Sequence, residues 1–194
     1  MSRIAYVDGQ YVPHRSAPVH IEDRGYQFAD GVYEVMAVVG GHLADHEPHL
    51  ARLARSLSEL QVAPPLSDSA LRIVIREVVR RNRVRDGIVY LQITRGVAPR
   101  DHAFPEAARP VLVVTSRSRR AADPRVAAVA VITTPDLRWR RCDIKSVALL
   151  PNVLAKQQAR EAGAYEAWLV DDAGHVTEGT STNELYLAHA AEAA

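Results

Sequence analysis

Apolar positions along this chain change their period several times, and each change marks a predicted element. Ile4 to Val12 carries short apolar stretches on either side of Asp8-Gly9, a pair suited to tight turns, which predicts two short strands joined as a hairpin. From Gly31 to Val39 the chain alternates, with Val32, Glu34 and Met36 on one face and Tyr33, Val35 and Ala37 on the other. That is the period of a strand. Gly40-Gly41 and the return through His42-Leu43-Ala44 predict a second hairpin. The period then becomes helical. Leu50, Leu53, Ala54, Leu57 and Leu60 form one stripe of a helix from about His46 to Val62, stopped by Pro64-Pro65. Ser67 or Asp68 caps a second helix, with Leu71, Val74, Ile75, Val78 and Val79 inward and Arg72, Arg76, Arg80 and Arg83 on its wet side.

Beyond the helices, Ile88 to Arg95 and Val111 to Ser116 are rich in β-branched residues and predict strands, joined by a long loop carrying Arg100, His102 and Pro105. Ala121 to Asp123, ahead of Pro124, reads as a linker. A strand from Val126 to Thr133 follows, then a loop through Trp139 to Lys145, then a helix from about Asn152 to Ala162 that Gly163 ends. Strands are predicted near Tyr165–Val170 and Glu184–Leu187. The fold class is α+β in two domains: a small N-terminal α+β domain over residues 1–120 and an αβ unit over 121–194 that begins and is not completed.

Composition narrows the function classes. The 194 residues are 47% hydrophobic and 24% charged, enough for a packed core. A net charge of +1 gives no electrostatic case for nucleic acid or an acidic membrane as partner. Cys142 is the single cysteine, so no intrachain disulfide is expected, and a reducing cytoplasm is the natural compartment. No apolar run approaches the roughly 18 residues of a membrane span. The eight histidines are dispersed without metal-ligand spacing, so no metal is expected.

Two of the 24 basic residues are lysine and the rest arginine. One of the two is Lys145, within Arg140-Arg141-Cys142-Asp143-Ile144-Lys145-Ser146. An arginine bias in the gene would explain the imbalance. The alternative is chemical: lysine can lose its proton and attack a carbonyl, which arginine cannot. A second cluster is Glu178-Gly179-Thr180-Ser181-Thr182-Asn183, a carboxylate and three hydroxyls placed between strands. It reads either as a polar turn or as a cradle for a flat heteroaromatic ring. In a third, Arg100 and His102 sit two apart in a loop stiffened by Pro99, able to converge on one carboxylate or simply to face solvent. The stretch from Glu22 to Glu34 is too particular in composition for a generic loop, and His49 and Arg52 share one helix face.

Six segments, EDRGYQFADGVYE (22–34), HLARL (49–53), TRGVAPRDH (94–102), RCDIKS (141–146), LAKQ (154–157) and TEGTSTN (177–183), together resemble the fold-type IV pyridoxal-phosphate-dependent aminotransferases on their D-amino-acid aminotransferase branch. The segments follow the family's order over nearly the whole chain. The resemblance implies roles. Lys145 matches the lysine that binds pyridoxal 5'-phosphate as a Schiff base, and Glu178 matches the carboxylate at the pyridine nitrogen. Arg52 matches a contact to the cofactor phosphate, with Thr180, Ser181 and Thr182 beside the cofactor. Tyr33, Arg100 and His102 match the trap for the substrate carboxylate, the last two arriving from the other subunit of a homodimer. The implied reaction is transamination of D-amino acids with a 2-oxo acid, of the D-alanine and 2-oxoglutarate type. Branched-chain L-amino-acid aminotransferases and aminodeoxychorismate lyase share the scaffold and are the alternative activities. The family's chain is longer by a C-terminal third, so a truncated and even inactive form is a further expectation.

Overall fold

In the computed structural model, which describes residues 4–119 and 128–182, the alternation seen at Gly31–Val39 is a full strand, the last but one of a six-stranded sheet. The sheet contains β1 (Ile4–Val7), β2 (Gln10–Pro13), β3 (Gly31–Val39), β4 (His42–Leu43), β5 (Gly87–Thr94) and β6 (Val111–Ser118), in the order β2-β1-β6-β5-β3-β4. Every pairing in it is antiparallel. Both predicted hairpins form, and their turns need positive φ: 40° and 92° at Asp8 and Gly9, and 59° and 88° at Gly40 and Gly41. Those values match the primed turns whose twist suits adjacent strands.

Two helices cover one face of the sheet. α2 (His46–Glu59) buries Leu50, Leu53, Ser56 and Leu57, and α3 (Asp68–Arg81) buries Leu71, Val74, Ile75, Val78 and Val79. They meet Val32, Met36, Val89, Leu91, Ile93, Leu112 and Val114 in a single core. Ser67 caps α3 by accepting from the Ala70 amide, and Asp68 is left to pair with Arg72. α2 stops at Glu59, ahead of the prolines: Gln61 turns left-handed (φ 53°), and the Val62 amide donates to the Leu57 carbonyl. Within the helix Ala54 is exposed, whereas just past its end Leu60 packs partly buried against the core and Val62 is fully part of it. A short helix, α1 (Arg24–Phe28), has no counterpart in the sequence reading. Its N-cap is Asp23, whose side chain accepts from the Gly25 amide.

The second unit is smaller. β7 (Val131–Pro135) lies parallel to β8 (Glu166–Val170) with α4 (Leu150–Glu161) between them in sequence, and β9 (Val176–Gly179) pairs antiparallel with β8. Its core is Ala155, Ala159, Ala167 and Leu169. Gly163 takes φ 72° just past α4. The strand expected from Val126 begins at Val131, with 128–130 outside it. The expected linker at Ala121–Asp123 and strand at Glu184–Leu187 lie outside the described residues.

The chain divides by contacts into Met1–Asp123 with Arg141–Ala148, and Pro124–Arg140 with Leu149–Ala194. The division is therefore not one cut near residue 120. Ile144, 4% exposed, packs in the first unit's core, which is why 141–148 returns to it.

Candidate active site

The position of Lys145 follows from an incomplete strand edge. β3 has β5 along one side from Gly31 to Val38, but β4 covers the other only at Val38 and Val39. The remaining edge would leave backbone groups unpaired. The segment around Lys145 supplies partners: the Tyr33 amide donates to the Lys145 carbonyl (3.0 Å), and the Val147 amide to the Gly31 carbonyl (3.1 Å). Val32 and Ser146 form a bridge. The Lys145 amide in turn donates to Oγ of Ser56, a fully buried serine on α2 (3.2 Å). On the flank, Arg55 donates to Asp143, and Arg141 to both Asp143 and Glu59. The hydrogen bond from Arg141, helped by that from Arg55, outweighs the opposing effect of burial and holds the Asp143 carboxyl down at about 2.

This backbone fixture sets the amine. Lys145 Nζ lies 4.7 Å from the centre of the Tyr33 ring, with no carboxylate partner among the described residues. Tyr33 is stacked on Tyr90 with centroids 5.8 Å apart, and the Tyr90 hydroxyl donates to Gln92 Oε1 (2.6 Å). Burial, with Tyr33 adding to it, pushes the Tyr90 phenol up to about 12. The other lysine is differently placed. Lys156 Nζ donates to the Tyr165 carbonyl (2.5 Å) and pairs with the buried Glu166 (3.2 Å).

Arg52 is gripped from below. Its Nε and Nη2 donate to the two carboxylate oxygens of Glu34, both at 2.7 Å, and His49 Nδ1 lies 2.7 Å from Glu34 Oε2. Glu34 is fully buried on the inward face of β3, while Arg52 is 45% exposed. The pair thus presents a positioned guanidinium whose outer side reaches solvent.

Arg100 and His102 are brought together by one aromatic ring. The Phe28 ring lies 5.0 Å from the Arg100 guanidinium and 5.3 Å from the His102 ring. Their loop is tied at its back by Arg24, which donates to the Asp101 carbonyl (2.5 Å) and to Asp30 (2.8 Å). Arg95 donates to both Asp30 oxygens and to the Leu60 and Gln61 carbonyls. Burial alone would raise the Asp30 carboxyl, but hydrogen bonds from Arg95 and Arg24 outweigh it and hold it low. The loop leaves β5 at Gly96, where φ is 98° and a Cβ would fall 2.0 Å from the Arg109 carbonyl oxygen, so only glycine fits. No described contact joins Arg100 or His102 to Tyr33 or Lys145.

In the second unit Glu178 lies within β9, not in a turn between strands, since its backbone pairs with Leu169. Its side chain is 43% exposed and stands 3.7 Å from Arg138, which Asp136 also binds. The three hydroxyls following it converge on one buried acid. Thr180 Oγ1, Ser181 Oγ (2.8 Å) and Thr182 Oγ1 (3.3 Å) all reach the Glu166 carboxylate. Burial pushes the Glu166 carboxyl up, but Thr180, Ser181, the Ala167 amide and Lys156 together bring it down to about 2.

Comparison with known proteins gives this arrangement its family. The model of the amino-transferase class IV family matches residues 31–190. The chain belongs to the class IV aminotransferases. The D-alanine aminotransferase of Bacillus licheniformis is 44% identical over 182 residues, 93% of this chain and 64% of its own length. That of Staphylococcus haemolyticus is 40% identical over 92% of this chain and 64% of its own. Among solved structures, the 4-amino-4-deoxychorismate lyase of Pseudomonas aeruginosa superposes with a TM-score of 0.75 at 28% identity, over 91% of this chain and 64% of that one. A T.th. branched-chain amino acid aminotransferase, solved with pyridoxamine 5'-phosphate, gives 0.80 at 23%, over 93% and 63%. The fold is thus that of the fold-type IV aminotransferases, and the chain spans about 64% of the length of the curated relatives it matches.

Two residues that brace the candidate site residues of this family member are not evident as such from sequence. Glu34 carried a signal, a carboxylate on the apolar side of β3, where an unpaired charge could not survive. Glu166 carried none, because its partners lie ten and more residues away along the chain.

Proposed function

We propose that this chain carries the reactive lysine and much of the binding machinery of a pyridoxal 5'-phosphate-dependent aminotransferase acting on D-amino acids and 2-oxo acids, with D-alanine and 2-oxoglutarate as the type pair. The observation that carries the reading is Lys145, whose backbone is fixed by Tyr33 and Ser56 while its amine has no acidic partner among the described residues. An amine so placed is not committed to a carboxylate, unlike Lys156, which pairs with Glu166. In the first unit Arg52 offers a positioned guanidinium that suits a phosphate. The family resemblance adds Glu178 for the ring nitrogen and Thr180, Ser181 and Thr182 beside it, the three hydroxyls meeting Glu166 in this structure.

When bound, the cofactor supplies an electron sink for the carbon that loses its proton. Lys145 Nζ would hold the cofactor and, once displaced from it, would take the Cα proton of the substrate. Glu178 would stand at the ring nitrogen and favour its protonated form. Tyr33, Arg100 and His102 orient the substrate carboxylate. Arg100 and His102 keep their described contacts around Phe28 and none to Tyr33, which supports their serving the site of a second copy in a homodimer. A cytoplasmic location accords with a single cysteine and hence no intrachain disulfide; among the described residues no helix is long and apolar enough to cross a membrane. The relatives at 40–44% identity are D-alanine aminotransferases, which favours the D-amino-acid reading over the branched-chain and lyase activities of the structural neighbours.

The test is to incubate the chain with pyridoxal 5'-phosphate, reduce with borohydride and map the modified peptide. Modification at Lys145, absent in Lys145→Ala, is expected; modification confined to Lys156 or the N-terminus overturns the reading. A panel of D- and L-amino acids with 2-oxoglutarate then separates a D-transaminase from its L-specific and lyase relatives, and an unreactive panel identifies an inactive form.

A further inference from the structure

Away from all of these residues, the β3–β4 turn and the end of α3 enclose a groove of about 530 Å³ in the first unit. Its walls carry Arg76, Arg80, Arg83 and Arg85 with His42 and His46, and its floor is apolar, formed by Leu43, Val79 and Val84. That volume is within the range of small-molecule sites.

The charge of the groove is not balanced by its neighbours. Glu77 accepts from Arg80 and Arg81, and Glu47 from Arg72 with His46 beside it. Asp86 accepts the Gly40 amide (3.0 Å), and Asp45 is exposed at the start of α2. Arg83 and Arg85 have no hydrogen bond or ion pair to a side chain among the described residues, and Arg76 has none either, although its charge acts on Glu47. The C-terminal end of α3 attracts positive charge, but a helix end is equivalent to only about half an elementary charge. Three guanidiniums without a hydrogen-bonded carboxylate in one groove exceed that, and guanidinium forks suit phosphate oxygens bidentately.

We propose that this groove binds an organic polyphosphate, with its phosphates on Arg76, Arg83 and Arg85 and its apolar part against Leu43, Val79 and Val84. The reading goes beyond the proposed transamination and uses none of its residues. It does not rest on the choice of arginine, which the chain uses almost everywhere, but on three such side chains gathered without hydrogen-bonded carboxylates over an apolar lining.

The experiment is titration calorimetry of the 194-residue chain with ATP, and with inorganic tripolyphosphate for comparison. ATP is expected to bind with a Kd below roughly 1 mM and more tightly than tripolyphosphate. The Arg76→Gln/Arg85→Gln double variant is expected to bind ATP roughly tenfold more weakly, the loss of charge-assisted hydrogen bonds. Arg15→Gln/Arg160→Gln, which removes the same charge at exposed sites outside the groove, is expected to bind as the parent does. If the first double variant fails to fold by far-UV circular dichroism, Arg83→Asn replaces it, since asparagine tolerates the left-handed backbone at that position (φ 52°). No ATP binding, equal weakening in groove and control variants, or tripolyphosphate binding as tightly as ATP overturns the proposal.

Discussion

Lys145 and Tyr33 are joined twice: the Tyr33 amide donates to the Lys145 carbonyl at 3.0 Å, and the Lys145 amine lies 4.7 Å over the Tyr33 ring. The backbone bond sets where the lysine emerges, and the ring sets which way its amine points. Because Tyr33 is itself stacked on Tyr90, the amine faces a surface with little freedom to move.

Removing that ring should therefore loosen the amine without unfolding the chain. Tyr33→Ala is expected to slow borohydride-trapped modification of Lys145 by about 2- to 5-fold, the scale of one exposed cation–π contact. Tyr33→Phe keeps the ring and should react at the parental rate. Timed trapping followed by peptide mass analysis measures both, and equal rates for Ala and Phe would show that the ring does not orient the amine.

Glu34 is the buried anion under Arg52 and His49. Glu34→Ala strands a guanidinium and leaves a void in the helix-covered face of the sheet. A loss of about 3 kcal/mol is expected, the lower end for breaking a buried pair because Arg52 is partly solvated. Arg52→Ala should cost less than Glu34→Ala, since His49 still reaches Glu34. Urea denaturation of the variants decides the order, and the reverse ranking refutes it.

Asp30 ties Arg24 and Arg95, both nearly fully buried, behind the loop that carries Arg100 and His102. Asp30→Asn keeps the shape and removes the charge, at an expected cost of about 3 kcal/mol. Hydrogen exchange should rise across residues 97–104 more than across β3. Uniform exchange through the sheet would mean that Asp30 serves the core and not the loop.

Acid should act on the second unit through Glu166. Its carboxyl is held at about 2 in the folded chain, below its ordinary value of 4.5. A depressed carboxyl contributes stability that is fully present above the unfolded value and is lost as pH falls toward the folded one. The expected window of loss therefore runs from about 4.5 down to about 2. Glu166→Gln should lower the melting temperature near neutrality and flatten its decline in that window. A variant with the parental pH profile would remove Glu166 from the account.

Much of the first unit could be read directly from the chain. The alternation of β3 and the stripes of α2 and α3 are strong because each faces a single apolar core. The short α1 could not be read: five residues leave no periodicity, and the helix depends on the Asp23 cap and on Arg24 reaching Asp30 and Asp101. Glu178 was read as part of a turn because Val176–Gly179 is too short and polar to show alternation, and its strand exists through pairing with β8.

The chain by itself determined the local periods, the turns and the residue types able to do chemistry, because these depend on neighbours a few positions apart. Its composition also exposed two rare amines among the arginines, Lys145 and Lys156. The fold decided that 141–148 would leave its flanking segments and close the open edge of β3, a pairing between residues more than a hundred positions apart. Tertiary structure likewise chose between the two lysines, giving Lys156 a buried carboxylate and Lys145 an aromatic face. An amine's chemistry depends on what lies within a few ångströms of it, and that distance is set only when the chain has folded.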